Sequence, residues 1–274
     1  MIYKQIDLSV DCAPAGVDGV AKATLTAYII NPESDMNKEL RRPAVVVCPG
    51  GGYAMTSGRE GDPIARRFLA AGYSAFVLWY EVKKVPFPSH LLLAAKAVAT
   101  VREHAEEWFI DPKNITIAGF SAGGHLAGSL GVLWNRDYVK NTLGYHNAEH
   151  RPDGMILSYP VITSGEHAHR GSFENLLMDR YCDELLEETS LEKQVSKDTC
   201  PAFIWHTFAD GLVPVENALL MATALRANGV PMELHIFPKG GHGLSLVTPE
   251  VGGGPAECIA WTDMAVRWIA DLNK

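Results

Sequence analysis

The stretch ITIAGFSAGGH, residues 115–125, decides the fold of this chain. Its first half is β-branched and apolar, which predicts a buried strand at residues 115–120. Small residues and leucines then continue to residue 133, with the composition of a closely packed helix. A G-x-S-x-G pentapeptide between a strand and a helix is typical of a nucleophile elbow, in which glycines leave room for a sharp turn and the serine backbone is strained. We therefore interpret Ser121 as a nucleophile.

On both sides of this turn, short apolar runs alternate with segments of helical period. The predicted strands cover residues 44–48, 74–80, 115–120, 155–158, 202–207 and 233–237, and the predicted helices cover residues 62–71, 88–109, 122–133, 215–227 and 256–272. Residues 3–8 and 23–30 are separated by glycine and proline rather than by a helix, which predicts an antiparallel hairpin. The whole pattern predicts an α/β fold with a mostly parallel sheet of about eight strands and helices on both faces.

One interval, residues 160–200, breaks this alternation. It has no strand pattern and carries leucine and glutamate at helical spacing from residue 173 to residue 195. Long connections in compact domains are often functional, so we interpret the interval as a helical insertion over the active site that acts as a lid or pocket wall. The alternative is a surface insertion that only packs. We find no repeat or linker, and residues 1–274 are predicted to form a single domain.

The composition favours a small molecule as the binding partner. The 274 residues are 47% hydrophobic and 20% charged, which is enough apolar material for a sizeable core, and the formal net charge is −8. An acidic chain without a basic stripe is a poor partner for nucleic acid or for an anionic membrane. The oligomeric state is left open, with a homodimer as one expectation.

Three features predict a cytoplasmic protein. No apolar run approaches the roughly 20 residues that cross a bilayer. The first ten residues lack the basic segment and apolar run of a secretory signal. The five cysteines are odd in number and have no C-x-x-C spacing, which favours reduced thiols.

A triple-glycine loop, PGGGY at residues 49–53, follows directly after a predicted strand. Glycines allow backbone N–H groups to turn toward a ligand, as stabilisation of a tetrahedral oxyanion requires. The predicted donors are the N–H groups of Gly51, Gly52 and Ala122, the last being the residue after the nucleophile. A phosphate-binding loop is the alternative, but no G-K-[ST] follows, and the next acidic residue, Glu60, does not fit the dinucleotide-binding fingerprint.

A serine hydroxyl needs a histidine that removes its proton and a carboxylate that orients the histidine. After a nucleophile elbow, the acid and then the base are expected in loops that follow later strands. Asp210 follows the predicted strand 202–207, and His242 lies among glycines after the predicted strand 233–237. We interpret Asp210 as the orienting acid and His242 as the base. The alternative for Asp210 is a helix cap or turn former.

The other histidines receive weaker interpretations. His125 lies four residues past the nucleophile on a predicted helix, so its side chain points along the helix flank, and we interpret it as a packing residue. Together with Tyr53, His125 is also kept as a candidate substrate-binding residue. His206 lies in a predicted strand and is interpreted as a core residue or a support for the site. The nearby acidic residues suggest a metal site at His146, His150, His167 and His169, but neither a metal site nor any other cofactor is favoured.

Further motifs extend across most of the chain: RPD at 151–153, SYPVI at 158–162, VPVEN at 213–217 and HIFP at 235–238. With the loops above, the chain resembles the bacterial α/β-hydrolase esterases of the acetylesterase and feruloyl-esterase-like type, often called xylanase-associated esterases. This resemblance implies the α/β-hydrolase fold and assigns the nucleophile, acid and base to Ser121, Asp210 and His242.

The chain departs from its relatives at two points. Related esterases begin the oxyanion loop with histidine, where this chain has Pro49, but the backbone donors are unaffected. Many relatives carry a second acidic residue beside the catalytic acid, whereas Ala209 and Gly211 flank Asp210 here. The assignment of the acid is therefore less ambiguous in this chain.

The sequence thus predicts a serine hydrolase that cleaves small carboxylic esters through an acyl-enzyme. The resemblance implies short acyl groups, such as acetyl groups on sugars or xylo-oligosaccharides. A peptidase or amidase is the alternative, because the same nucleophile and oxyanion site serve amides. A glycoside hydrolase would need two matched carboxylates, which the sequence does not offer, and a non-catalytic binding protein would not need all three catalytic positions.

Overall fold

The computed structural model describes residues 1–32 and 35–272. Within these ranges, eight strands form one sheet in the order β1-β2-β4-β3-β5-β6-β7-β8. The strands are β1 (Ile2–Asp11), β2 (Val20–Ile29), β3 (Arg42–Cys48), β4 (Ser74–Tyr80), β5 (Ile110–Phe120), β6 (Gly154–Ser158), β7 (Ala202–Thr207) and β8 (Met232–Phe237).

The sheet is antiparallel at one end and parallel over the rest. Strands β1 and β2 form the predicted hairpin, which pairs Ile2 with Ile29 and Asp11 with Val20. Strand β2 is antiparallel to β4, and every pairing from β4 to β8 is parallel. Because the carboxyl ends of parallel strands meet at one edge, the loops after β3, β5, β6, β7 and β8 lie close to one another.

Helices cover both faces of the sheet, as predicted. They are α1 (Asp62–Ala70), α2 (Ser89–Glu103), α3 (Ala122–Leu133), α4 (Asp137–Leu143), α5 (Arg170–Leu177), α6 (Asp183–Thr189), α7 (Leu191–Gln194), α8 (Glu216–Ala227) and α9 (Trp261–Asp271). Buried residues of α2, α3 and α8 pack on one face, and those of α1 and α9 pack on the other. In the central strand β3, Val46 faces the first layer, and Val45 and Val47 face the second. This burial on both sides explains why the central strands are continuous apolar runs.

The structure differs from the predicted local structure in helices α2 and α4. The helix predicted at residues 88–109 ends at Glu103, and residues 104–109 form turns that lead through Phe109, where φ is +56°, into β5 at Ile110. The apolar spacing continues past the end of the helix because Trp108 is buried against the ring of Phe76. Helix α4 was not predicted at all. It is only 7 residues long, too short for a helical period to be recognised.

The interval 160–200 contains helices α5, α6 and α7, and the described structure has no strand between β6 and β7. Leu191 of this interval packs closely on Gly128 of α3. A Cβ atom added to Gly128 would lie only 2.8 Å from Cδ1 of Leu191. The predicted helical character is therefore present, and the segment rests on the helix that follows the nucleophile elbow. Every helix that the structure describes falls short of the length and apolarity that a membrane crossing requires.

Candidate active site

The predicted nucleophile elbow lies between β5 and α3. Ser121 has φ +55° and ψ −120°, a strained conformation that costs about 1–3 kcal/mol. A Cβ atom on Gly119 would lie 1.9 Å from the carbonyl oxygen of Gly123, and one on Gly123 would lie 2.1 Å from that of Cys48. No side chain fits at either position, so the glycines of the pentapeptide are required by the turn itself.

The structure brings the three predicted catalytic side chains together. Nε2 of His242 lies 2.7 Å from Oγ of Ser121, and Nδ1 of His242 lies 2.7 Å from Oδ2 of Asp210. The Asp210 side chain is fully buried after β7, whereas the His242 side chain is 14% exposed in the loop after β8. An ionised carboxylate only accepts hydrogen bonds, so Nδ1 carries the proton and Nε2 is free to accept one from the serine hydroxyl.

Several donors surround the carboxylate of Asp210. The backbone N–H groups of Leu212 and Val213 each donate to Oδ1 across 3.0 Å. Nε2 of His206 lies 3.3 Å from Oδ2 and 2.9 Å from the carbonyl oxygen of Val213. Burial by itself would raise the pKa of Asp210, but the hydrogen bonds from His206 and His242 outweigh it and keep the pKa well below its usual range. Asp210 is therefore ionised, and it also forms the turn that was considered as its alternative role.

The triple-glycine loop lies against the nucleophile. A Cβ atom on Gly50 would come within 2.9 Å of the Ser121 Cβ atom. In the described part of the chain, the backbone N–H groups of Gly51, Gly52 and Ala122 donate to no other group. Free N–H groups beside a nucleophile are the arrangement that an oxyanion site requires.

A cavity of about 520 Å³ opens above these groups. Its lining residues are Gly51, Gly52, Ala54, Met55, Ser57, Arg59, Glu60, Ser121, His169, Gly171, Asn175, Leu212, His242 and Gly243. The interval 160–200 contributes His169, Gly171 and Asn175, so it forms part of the cavity wall. Asn175 also donates from Nδ2 to the carbonyl oxygen of Gly52 across 2.8 Å, which ties this wall to the glycine loop.

His169 is the second histidine of the cavity. Its Nδ1 atom lies 2.9 Å from Oγ of Ser172, and burial together with the nearby His242 lowers its pKa. Its imidazole is a polar group in the cavity wall. His169 was considered from the sequence only as a metal ligand. Among the described residues, no group of three or more His, Cys, Asp or Glu side chains is arranged to hold a metal ion.

Tyr53 and His125, kept as candidate substrate-binding residues, are absent from the cavity wall. The Tyr53 hydroxyl lies 2.9 Å from Nδ1 of His125, and Nε2 of His125 lies 2.8 Å from the carbonyl oxygen of Thr189. Both side chains are buried, and burial lowers the pKa of His125 to about 4. Tyr53 turns inward beneath the glycine loop because its ring packs there against His90. The structure therefore gives no support to a substrate-binding role for either residue, and the packing interpretation of His125 agrees with its surroundings.

The chain matches a known protein family over most of its length. The BD-FAE family model matches residues 31–225, which is more than half of the chain. The chain belongs to the BD-FAE family. This finding confirms the resemblance that the motifs indicated.

This BD-FAE chain is similar to parts of two longer proteins. It is 43% identical over 222 residues to endo-1,4-beta-xylanase B of Butyrivibrio fibrisolvens, which covers 80% of this chain and 35% of that protein. It is 34% identical over 211 residues to an acetylxylan esterase of Xylanibacter ruminicola, which covers 75% of this chain and 42% of that protein. The chain thus spans less than half the length of these two relatives.

A solved structure matches over more of its own length. The acetyl ester-xyloside bifunctional hydrolase of Caldicellulosiruptor lactoaceticus has a TM-score of 0.79 and 38% sequence identity. The match covers 91% of this chain and 88% of that one. Together with the sheet topology, it confirms the predicted α/β-hydrolase fold.

Glu60 of this BD-FAE site was not among the functional residues predicted from the sequence. Glu60 lines the cavity and is only 3% exposed. Its position in the sequence bears only on the absence of a nucleotide-binding motif. The one available signal was an acidic residue close behind the glycine loop, which does not by itself indicate burial.

Proposed function

We propose that this chain is a serine hydrolase that cleaves small carboxylic esters through an acyl-enzyme formed on Ser121. The observation that carries the proposal is the pair of 2.7 Å contacts that join Ser121 to His242 and His242 to Asp210. Three free backbone N–H groups beside the serine and a cavity of about 520 Å³ support it.

In the proposed reaction, Oγ of Ser121 attacks the ester carbonyl carbon while Nε2 of His242 takes the hydroxyl proton. The carbonyl oxygen becomes an oxyanion, which accepts hydrogen bonds from the N–H groups of Gly51, Gly52 and Ala122. His242 then gives its proton to the departing alcohol, and the ester C–O bond breaks. Water attacks the acyl-enzyme by the same steps and releases the acid.

The electrostatic part of the proposal follows from the state of Asp210. Its carboxylate is ionised and contacts the protonated side of His242, so it stabilises the imidazolium that forms when the serine proton moves. Each oxyanion donor in such a site typically contributes about 2.7–4 kcal/mol to the transition state.

The proposed substrates are acetyl esters of sugars, such as acetylated xylo-oligosaccharides. The acetylxylan esterase and the acetyl ester-xyloside hydrolase among the similar proteins support this substrate class. The cavity wall supports it as well, because His169 and the guanidinium of Arg59 present polar groups that suit a hydroxylated alcohol. That guanidinium is in salt-bridge contact with no described residue, although its charge lowers the pKa of the neighbouring Glu60.

The experiment is a substrate panel with the purified chain. We expect turnover of aryl acetates and acetylated xylo-oligosaccharides, slower turnover of esters with long acyl chains, and little turnover of aryl anilides. Turnover of anilides at the same rate as acetates would instead indicate an amidase. Failure to turn over any ester would reject the proposed function.

A cytoplasmic location is also proposed. All five cysteines are free, and four of them are buried, which agrees with a reducing compartment. Recovery of the protein from the medium of its native cells would contradict this location. A homodimer is one expectation for the oligomeric state, and analytical sedimentation would measure it.

A further inference from the structure

Glu60 is a buried carboxylate at the edge of the catalytic cavity. It ends the short 3-10 helix Gly58–Glu60 that follows the glycine loop. It forms no ion pair with any residue that the structure describes. A buried carboxylate costs several kcal/mol unless hydrogen bonds satisfy it, and the positive charge of the neighbouring Arg59, which lowers the pKa of Glu60, is not in salt-bridge contact with it. Hydrogen bonds must therefore stabilise the Glu60 carboxylate.

Both carboxylate oxygens of Glu60 accept hydrogen bonds from groups of the site. Oε2 accepts from the backbone N–H of Gly50 across 2.9 Å, and Oε1 accepts from the Tyr159 hydroxyl across 2.8 Å. The Gly50 N–H is thus occupied, while those of Gly51 and Gly52 stay free. Burial raises the pKa of Glu60, and these two hydrogen bonds act against that rise.

Tyr159 connects Glu60 to the loop that carries the base. Its hydroxyl accepts from the backbone N–H of Ser245 across 2.9 Å, three residues after His242. Its ring lies edge-on to the His242 ring, with the centroids 5.2 Å apart and the planes at 73°. Tyr159 also has φ +37°, a strained conformation for a residue with a side chain, of the kind that persists when the surrounding contacts require it.

We propose that Glu60 and Tyr159 are positioning residues that fix the glycine loop and the His242 loop relative to each other. Through Gly50 the carboxylate sets where the free N–H groups of the loop stand, and through Tyr159 it sets where the imidazole stands. The inference rests on the proposed function of these two loops. Neither residue is hydrogen-bonded to Ser121, His242 or Asp210.

The hydrogen-bond pattern explains why the residue is glutamate. Gly50 presents only a donor, and the Tyr159 hydroxyl donates to Glu60 because it already accepts from Ser245. Glu60 must therefore accept at both of its oxygens. Glutamine has one acceptor oxygen and one amide nitrogen that only donates, so it cannot satisfy both neighbours.

The test compares Glu60→Gln, Tyr159→Phe and the double variant in steady-state hydrolysis of an aryl acetate. We expect each single variant to lower kcat by about 10–100-fold with KM changed by less than about threefold, since misplacement of the reacting groups affects the transition state more than binding. Because the two residues act in one chain of contacts, the double variant should lose no more than about the larger single loss. Tyr159→Phe keeps the ring that packs on His242, so it carries the test even if Glu60→Gln does not fold.

Two matched controls lie away from the site. Asp153→Asn alters a carboxylate that accepts the Ile115 N–H across 2.8 Å at the middle of β5, six residues before Ser121, and that also pairs with Arg102. Tyr73→Phe removes a hydroxyl that donates to the Val266 carbonyl across 2.9 Å. Both should lower the melting temperature and leave kcat within about twofold of the parent chain. If the Glu60 and Tyr159 variants behave in the same way as these controls, the positioning role is overturned.

A second measurement separates this inference from the proposed function. The rate at which a fluorophosphonate labels Ser121, followed by intact mass, depends on the serine, the base and the oxyanion donors but not on the natural ester. Slower labelling of both variants, with normal labelling of the controls, supports positioning even if the parent chain hydrolyses no ester on the panel. Unchanged labelling and unchanged kcat in the variants of an active parent chain reject it.

Discussion

Nδ1 of His242 lies 2.7 Å from Oδ2 of Asp210, and the same carboxylate oxygen lies 3.3 Å from Nε2 of His206. Two imidazoles therefore meet one buried oxygen, one from the loop after β8 and one from within β7. The His206 nitrogen also lies 2.9 Å from the Val213 carbonyl, which identifies it as a donor. His206, within the sheet, thus donates to the Asp210 carboxylate, and the carboxylate also accepts a hydrogen bond from His242.

Replacement of the nucleophile should remove nearly all activity. Ser121→Ala is expected to lower kcat by as much as about 10⁶-fold, because removal of the serine from a serine–histidine pair leaves only binding and oxyanion stabilisation. Hydrolysis of an aryl acetate measures the loss. Ser129→Ala, on the same helix and outside the cavity wall, is the matched control and should keep its activity. An active Ser121→Ala variant would point to another nucleophile.

Replacement of Asp210 by asparagine should remove most activity, although the side chain keeps its size and shape. Asp210→Asn keeps an oxygen for the N–H groups of Leu212 and Val213, but its amide group presents a donor to Nδ1 of His242. The imidazole would then carry its proton on the wrong nitrogen, which costs about 10⁴-fold in kcat in comparable triads. Steady-state kinetics at neutral pH measure the effect. A loss of less than about tenfold would count against Asp210 as the orienting acid.

The low pKa of Asp210 also predicts a pH dependence of stability. The unfolded chain has an aspartate pKa near 3.9, above that of the folded chain, so the unfolded state binds more protons as the pH falls between the two values. The stabilisation from ionised Asp210 is therefore complete above about pH 5 and is lost progressively below about pH 4. Urea unfolding of the parent chain and of Asp210→Asn should give free energies that converge from about pH 6 to about pH 3. A gap that stays constant or widens would contradict the assignment.

Two neighbouring glycines should differ in their tolerance of alanine. Gly51 has φ +125°, and a Cβ atom there would lie 2.3 Å from the Met55 carbonyl oxygen. Gly52 has φ +63°, within the left-handed region, and its nearest neighbours to such an atom are 3.9 Å away. Both variants keep their N–H groups, so any difference reports the shape of the loop. Gly51→Ala is expected to lower kcat by about 10² or more and Gly52→Ala by less than about tenfold. Equal losses in a kinetic assay would show that the steric clash is not decisive.

The strands were predictable because of where they lie. Strands β3, β4, β6 and β7 and the second half of β5 are buried, and they appear in the sequence as apolar runs, whereas the edge strand β8 is interrupted by Glu233 and His235. The nucleophile elbow was predictable for a similar reason, since its glycines, strand and helix are all local to Ser121. Asp210 and His242 could be proposed because each follows a strand whose end faces the elbow.

What could not be predicted depends on partners that are distant in the chain. Glu60 meets Gly50 and Tyr159, and the second of these lies 99 residues away, so no local pattern reveals that its carboxylate is buried. Tyr53 and His125 have the residue types of substrate contacts, but they are 72 residues apart and pair with each other beneath the loop. The helix predicted to extend to Phe109 failed because apolar spacing does not distinguish a helix from a buried turn.

The hydrogen bond from Asn175 to the Gly52 carbonyl has a consequence for diversification of the fold. Exchange of residues 160–200 between related enzymes is the obvious way to reshape the pocket for a different alcohol. In this chain such a graft would also remove the hydrogen bond that connects the segment to the glycine loop next to the nucleophile. A donor that replaces the Asn175 amide must therefore accompany the new segment, and selectivity is not separable from catalytic competence when this region is engineered.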